Sequence, residues 1–378
     1  MKIKRVYAEK IMASNNKETI QITINKKYKA SAPYGTSKGR NEVPAFKESI
    51  DKIINYINTS KDFKNLKINS FEDLKYFEDS FTNLIGNTMI AIEYALLKAL
   101  SNNNIYKFLN PDAEHLPLPL GNCIGGGAHG EQGPDIQEFL LMPHSDSFFN
   151  NSFANMYMHR LIGRELQSNR KDQEGAWNPS ISNEEALDLL KEVIDKTSKE
   201  LEFNIKLGLD VAASYLYKSN HYHYKNMSKS VKNNKITTGQ QVDYVQFLID
   251  KYDLEYVEDP FHEEDFDSFS KLKNSLVCGD DLICTDLERL KKAVNKVNAV
   301  IIKPNQIGSL IKTKEIVDYA KSNNIKTIIS HRAGETMDNS ISHLAVAWNI
   351  PYIKLGIFGK ERTSKINELI RIEKEINE

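Results

Sequence analysis

The chain has 378 residues, with 50 lysines and arginines against 51 aspartates and glutamates, a formal net charge of -1. That balance excludes the electrostatic footprint of a nucleic-acid or anionic-membrane binder, and the length suits two domains, or one barrel with an added domain. The three cysteines, Cys123, Cys278 and Cys284, are odd in number and lack CxxC spacing, which argues against a disulfide framework and against a zinc site.

No long apolar region follows Met1-Lys2-Ile3-Lys4-Arg5, and no apolar run approaches membrane-spanning length. A soluble cytoplasmic protein is the expectation. Ile20, Ile22 and Ile24 alternate with Gln21, Thr23 and Asn25, the period of a half-buried strand. Residues 31–40 then read as a turn-like segment with Pro33, Gly35 and Gly39. Composition leaves open whether it folds over a ligand or is a surface hairpin. Helical spacing of Leu84, Met89, Ile92, Leu96 and Leu100 predicts a helix over 83–100. Pro111, Pro117 and Pro119 mark a boundary near 115–120.

Gly125-Gly126-Gly127-Ala128-His129-Gly130 has the wrong spacing for a dinucleotide fingerprint and reads as a mobile loop holding a histidine. Glu138 opens an apolar run, where a structural ion pair is the competing explanation. Residues 156–166 look helical, and 172–179 form a polar loop containing Glu174. Ser182 and Glu185 have the spacing of a capping box before a helix through Ala186, Leu190 and Ile194. The lysine-rich run 225–235 reads as a solvated loop.

Six later runs have the character of parallel strands: 205–211, 254–258, 276–280, 299–303, 325–330 and 352–355. Helix-like segments separate most of them, and 309–322 has the pattern of a crossover helix. Ionisable residues recur at or near their ends: Asp210, Glu258, Asp280, Lys303, His331 and Lys354. In a closed barrel the carboxyl ends of the strands carry the chemistry.

Asp210, Glu258 and Asp280 offer three oxygen ligands, a set that suits Mg²⁺. The alternative is three salt-bridged carboxylates, although three at adjacent strand ends repel without a cation. Lys303 and Lys354 would face the ion across the barrel, where neighbouring cations lower a lysine's pKa and fit it for general-base work. Glu138 and Glu174 are candidates for the acid that a leaving group requires.

These segments together resemble the enolase (phosphopyruvate hydratase) family. The matching motifs include Gly127-Ala128-His129, Gln137-Glu138-Phe139, Gly208-Leu209-Asp210, Val257-Glu258-Asp259-Pro260-Phe261, Gly279-Asp280-Asp281, Ile302-Lys303-Pro304-Asn305-Gln306, Ser330-His331-Arg332-Ala333-Gly334-Glu335-Thr336 and Ile353-Lys354. The resemblance spans nearly the whole chain. It implies an α/β fold: a smaller α+β amino-terminal capping domain over 1–117, then a modified (β/α)8 barrel over 118–378 whose first strands include an antiparallel return. It implies Mg²⁺-dependent dehydration of 2-phosphoglycerate, with Asp210, Glu258 and Asp280 as metal ligands and Ser37 on a second Mg²⁺. Lys303 matches the base at C2, and Glu174 with Glu138 matches the acid machinery at the C3 hydroxyl. His129, His331, Arg332 and Lys354 match substrate-binding positions, Arg332 at the phosphate and Lys354 at the carboxylate. The resemblance also suggests a homodimer or a larger ring of dimers, with a small phosphorylated acid as substrate.

The departures from the family pattern are local. Ala333 stands where a serine usually meets the phosphate, Gln173 replaces a carboxylate beside Glu174, and Tyr215 stands for a glutamate. The segment 357–362 is short and altered, and an arginine linked to the dimer contact is missing near Asn15. A related small acid as substrate, or a non-catalytic relative, therefore stay open as alternatives.

Overall fold

The amino-terminal part is a three-stranded antiparallel sheet, β1 (Val6–Met12), β2 (Glu18–Ile24) and β3 (Tyr28–Ser31), followed by helices α1 (Ile50–Thr59), α2 (Asp73–Ser80), α3 (Asn87–Ser101) and α4 (Ile105–Leu109). The computed structural model describes residues 1–36, 39–130, 133–167, 169–226 and 234–378. Ile20, Ile22 and Ile24 are buried as their alternation requires. Thr19 and Thr23 are buried too, and the Thr19 hydroxyl is satisfied by donating to the Ala32 carbonyl at 2.8 Å. The helix expected from residue 83 begins four residues later. Gly86 precedes it at φ 53°, where a Cβ would lie 2.3 Å from the Pro44 carbonyl oxygen. Only glycine fits that turn.

The rest of the chain closes an eight-stranded barrel in the order β10-β11-β12-β13-β14-β4-β5-β6. Its strands are β4 (Leu118–Gly125), β5 (Glu138–Pro143), β6 (Ile205–Asp210), β10 (Leu254–Glu258), β11 (Leu276–Gly279), β12 (Ala299–Ile302), β13 (Lys326–Ser330) and β14 (Tyr352–Gly356). β5 runs antiparallel to both neighbours, and the remaining pairs are parallel. A small antiparallel sheet of β7 (Tyr217–Lys218), β8 (His221–His223) and β9 (Lys235–Ile236) follows β6. Most of the 225–235 lysine run lies outside the described residues. The barrel interior is filled by Leu120, Leu140, Met142, Tyr256, Cys278, Ala299, Ile301 and Ile328. Cys278 is thus a small core side chain.

Helices α5 (Phe148–Leu166), α6 (Asn183–Leu201), α7 (Thr238–Tyr252), α8 (Phe266–Phe269), α9 (Leu287–Ala293), α10 (Pro304–Ile307), α11 (Leu310–Ser322), α12 (Ser340–Ala347) and α13 (Lys360–Asn377) complete the chain. The Ser182–Glu185 capping box is present at α6. The 304–308 turn is a single helical turn, with Pro304 at its start and Gly308 left-handed at φ 67°. The amino-terminal helix α3 is tied to the barrel by buried polar contacts. Glu93 accepts from the Leu310 N–H at 2.9 Å, and Lys98 pairs with Asp338 at 2.6 Å.

Candidate active site

The strand ends bring the charged residues to one mouth. Asp210 and Glu258 end β6 and β10; Asp280, Lys303 and His331 each follow directly after β11, β12 and β13; Lys354 projects from within β14. Glu138 is the first residue of β5, not its last. Because β5 is antiparallel, that first residue pairs with Asp210 and so faces the same mouth. His129, Glu138, Glu174, Asp280, Lys303, His331, Arg332 and Lys354 all line one small cavity of about 20 Å³.

The Lys354 ammonium sits among three carboxylates, 2.8 Å from Glu258, 2.9 Å from Asp210 and 3.2 Å from Glu138. Lys303 pairs with Asp280, whose other oxygen accepts from Gln306 at 3.2 Å. The repulsion expected of the carboxylate set is therefore met by lysines of the chain itself. The neighbouring cations Arg332 and Lys354 do pull the Lys303 pKa down, but they do not decide it. Burial favours the neutral amine of Lys303, but Asp280 and Glu258 outweigh it, and the pKa lies above the usual amine range. Lys354 is raised further, since Asp210, Glu138 and Glu258 together overcome its burial.

Glu258 is pushed up to about 8 by burial, then by Asp210, with Lys354 opposing. Its Oε2 accepts from Tyr256 at 2.7 Å, while its buried Oε1 has no hydrogen-bond partner among the described residues. An unpaired buried carboxylate oxygen beside Asp210 fits a hard cation. Asp210, Glu258 and Asp280 are the residues that would hold such a cation. Asp259 and Asp281 were not singled out from the sequence. With Asp280 they bring carboxylate oxygens within 4.8 Å of one another. Asp259 accepts from the backbone N–H groups of Asp280 and Asp281 at 2.9 and 2.7 Å, which fixes the position of Asp280. Their adjacency to Glu258 and Asp280 was the available signal.

On the opposite side, His129, Glu138 and Glu174 converge, with ligand-capable atoms within 4.8 Å. The two carboxyls are driven apart. Burial holds Glu138 well above the ordinary range, with Glu174 and Asp210 adding to it against Lys354. Glu174 falls well below, because His331, His129 and Arg362 outweigh its burial. The His331 Nε2 lies 3.5 Å from Glu174. Such a split assigns the proton to one carboxyl and the charge to the other.

Arg332 forms the third region. Its guanidinium pairs with Glu42 at 3.0 Å and donates to Asn305 at 3.0 Å. Nothing in the sequence pointed to Glu42, which lies 290 positions away. Gly35 packs on the guanidinium so closely that a Cβ there would lie 1.9 Å from Nη2. Tyr34 and Gly334 exchange backbone hydrogen bonds at 2.6 and 3.0 Å, so the start of the 31–40 segment is docked on the barrel mouth. Ser37 lies outside the described residues.

A family model described as "Enolase, C-terminal TIM barrel domain" matches residues 113–378. The chain is 38% identical over 402 residues to the enolase of Picrophilus torridus, covering 99% of each chain. It is 38% identical to the enolase of Methanosphaera stadtmanae, covering 99% of this chain and 97% of that one. The chain belongs to the enolase family. Its eight-stranded barrel with a reversed β5, and its amino-terminal α+β unit, are the fold that membership implies. Membership also makes it an enolase-superfamily enzyme with a candidate metal site at the barrel mouth. Among the described residues no helix is long and apolar enough to cross a membrane.

Proposed function

We propose that the protein dehydrates 2-phosphoglycerate to phosphoenolpyruvate, with Lys303 as base and the Glu138–Glu174 pair as acid. The observation that carries this reading is the opposition of a lysine and a split carboxyl pair around one cavity. The reaction breaks a C–H bond at C2 and a C–O bond at C3. Lys303 Nζ, in its neutral form, takes the C2 proton, the electron pair left behind forms the C2–C3 double bond, and the C3 hydroxyl leaves as water with a proton from the Glu138–Glu174 pair. Glu174 faces that hydroxyl. Glu138 holds the proton in the free site, and His129 stands 3.8 Å from Glu138 and 4.0 Å from Glu174, close to both. Asp210, Glu258 and Asp280 would hold Mg²⁺, which when bound would supply Lewis-acid stabilisation of the charge on the substrate carboxylate. Lys354 and Arg332 then offer cations to the carboxylate and phosphate ends, with Ser37 proposed on a second Mg²⁺.

Purified protein with Mg²⁺ and 2-phosphoglycerate is expected to generate the ultraviolet absorbance of phosphoenolpyruvate. Complete inactivity of folded, metal-loaded protein sinks the reading. A second reading, a related 2-hydroxy or 2-phospho acid, is favoured by one observation: Ala333 lines the cavity without a hydroxyl. A screen of small phosphorylated and unphosphorylated acids separates the two, and turnover of 2-phosphoglycerate alone removes the second.

We also propose a homodimer or a larger ring of dimers. Met12, Met337 and Phe358 are 58%, 60% and 51% exposed. Met337 and Phe358 share a groove of about 740 Å³ with Met156, and Met337 also lines a second groove with Met12. Such a strip of apolar side chains supports burial against a second copy.

A further inference from the structure

Arg362, near the start of α13, is 2% exposed, yet no carboxylate lies within ion-pair distance of it among the described residues. Its Nη2 donates to the Ala333 carbonyl at 2.9 Å, its Nη1 reaches the Ser14 hydroxyl at 3.5 Å, and its buried Nε has no hydrogen-bond partner among the described residues. Burying a guanidinium without a counter-ion is expensive, so its place in the fold calls for a compensating role.

Two observations locate that role. At Gly356, the last residue of β14, an added Cβ would lie 2.8 Å from Arg362 Cδ and Nε and 3.3 Å from the Glu174 carbonyl oxygen. The arginine side chain therefore lies against the peptide that carries Glu174, with only a glycine between them. The Ala333 carbonyl receives Arg362 on one side and the Ser14 hydroxyl, at 3.3 Å, on the other. That Ser14 hydroxyl also accepts from the Glu335 N–H at 3.0 Å. The loop after Arg332 is thus clamped by its backbone, at the position where the family's serine is absent.

We propose that Arg362 is a positioning residue: it fixes Glu174 from behind through Gly356, supplies the charge that faces the Glu174 carboxylate across the peptide, and clamps the Ala333 peptide beside the anion site. The proposal rests on the reading of the site as a 2-phosphoglycerate dehydratase. Base and acid belong to different walls of the cavity, and Arg362 touches the acid wall and the Ala333 peptide but not the Lys303 side. Its loss is expected to separate the two half-reactions.

The test uses the full-length R362M and R362K proteins. Exchange of the C2 hydrogen with deuterium, followed by NMR, reports Lys303; formation of phosphoenolpyruvate reports the acid. R362M is expected to lower kcat for dehydration about 100-fold, the effect of a misplaced catalytic group, while C2 exchange keeps its rate and KM rises. R362K, which keeps the charge, is expected to recover much of the dehydration rate. Loss of exchange and dehydration in equal proportion, in either variant, overturns the proposal and leaves a structural role. Wild-type protein run in parallel separates the two claims, since its failure to convert 2-phosphoglycerate is a failure of the functional reading. Arg362 is then judged without turnover, by melting R362M, E174Q and the double variant. Coupling through Gly356 predicts that R362M lowers Tm less when Glu174 is already neutral; strictly additive shifts overturn it.

Discussion

Replacing Lys354 with methionine removes one ammonium from among three buried carboxylates while preserving most of the side-chain volume. Its nitrogen lies 2.8, 2.9 and 3.2 Å from Glu258, Asp210 and Glu138, and its side chain is 3% exposed. Breaking a buried ion pair from one side costs about 3–5 kcal/mol, because the stranded partner stays desolvated. Glu258 softens the loss by taking up a proton, since it is already raised, so the lower half of that range is expected. With an unfolding entropy of about 2.1 cal/mol/K per residue, about 3–4 kcal/mol corresponds to a fall of roughly 4–5 °C in Tm for a chain of this length. The deficit should depend on the ion. With chelator present the full drop appears; with saturating Mg²⁺ the freed carboxylates of Asp210 and Glu258 gain a cation, and the gap to wild type shrinks. Thermal melts of both proteins in both conditions measure this. Equal melting temperatures in chelator refute the lysine's role in holding the cluster together. A gap that ignores Mg²⁺ refutes the assignment of Asp210 and Glu258 as ligands.

Lys303→Ala should abolish C2 hydrogen exchange, whereas Glu174→Gln should collapse dehydration and leave exchange in place; NMR on both variants decides, and exchange at the wild-type rate in Lys303→Ala defeats the mechanism. Ala333→Ser adds a hydroxyl facing the proposed phosphate, and a hydrogen bond to a charged group is worth about 1.5–3 kcal/mol, so KM should fall roughly tenfold or more with kcat little changed; an unchanged KM argues that Ala333 does not face the phosphate. His159 is lowered from 6.5 to about 4 by burial, with its Nε2 3.0 Å from the Gly175 carbonyl oxygen. The folded state keeps it neutral while the unfolded chain takes up a proton below its ordinary pKa, so stability is full above about pH 6.5 and falls toward pH 4, by up to about 3 kcal/mol. His159→Phe should flatten that part of the Tm–pH curve, and an identical slope removes His159 as its source. Light scattering at several concentrations tests the dimer, which a strictly monomeric species at micromolar concentration defeats.

The barrel was legible because its strands are buried on both faces. Runs such as Ala299–Ile302 are apolar throughout and end abruptly in a charge, so both strand and rim residue stand out. Asp210, Glu258, Asp280, Lys303 and His331 stand out by that rule, whereas Lys354 lies within β14. What the sequence hid was pairing across distance. Nothing near Arg332 shows that Glu42 binds it, and nothing near Lys354 shows that it takes the place of a counter-ion for Asp210 and Glu258. The net lysine pKa was hidden for the same reason: Arg332 and Lys354 lower it as their position suggests, but the contact with Asp280 raises it more. Gly86 hid the true start of α3, because the apolar spacing continues through Leu84 into a turn that only backbone crowding reveals.

The contacts that fasten α3 and the 31–42 segment to the barrel have a bearing on how the chain is made. Glu93 meets Leu310 217 residues later, Lys98 meets Asp338 240 later, and Glu42 meets Arg332 290 later. On the ribosome the amino-terminal sheet and helices emerge long before these partners exist. Glu93 and Lys98, buried in the finished protein, then wait in water, and the helix face that will dock on the barrel stays open. The hairpin of β4 and β5 can close at once, but β14 joins β4 only when synthesis is nearly complete. Late closure of this kind makes the last strand and α13 the step on which yield depends. Chains cut short before Tyr352 should therefore accumulate as open barrels that aggregate, even though every proposed residue but Lys354 and Arg362 is already present.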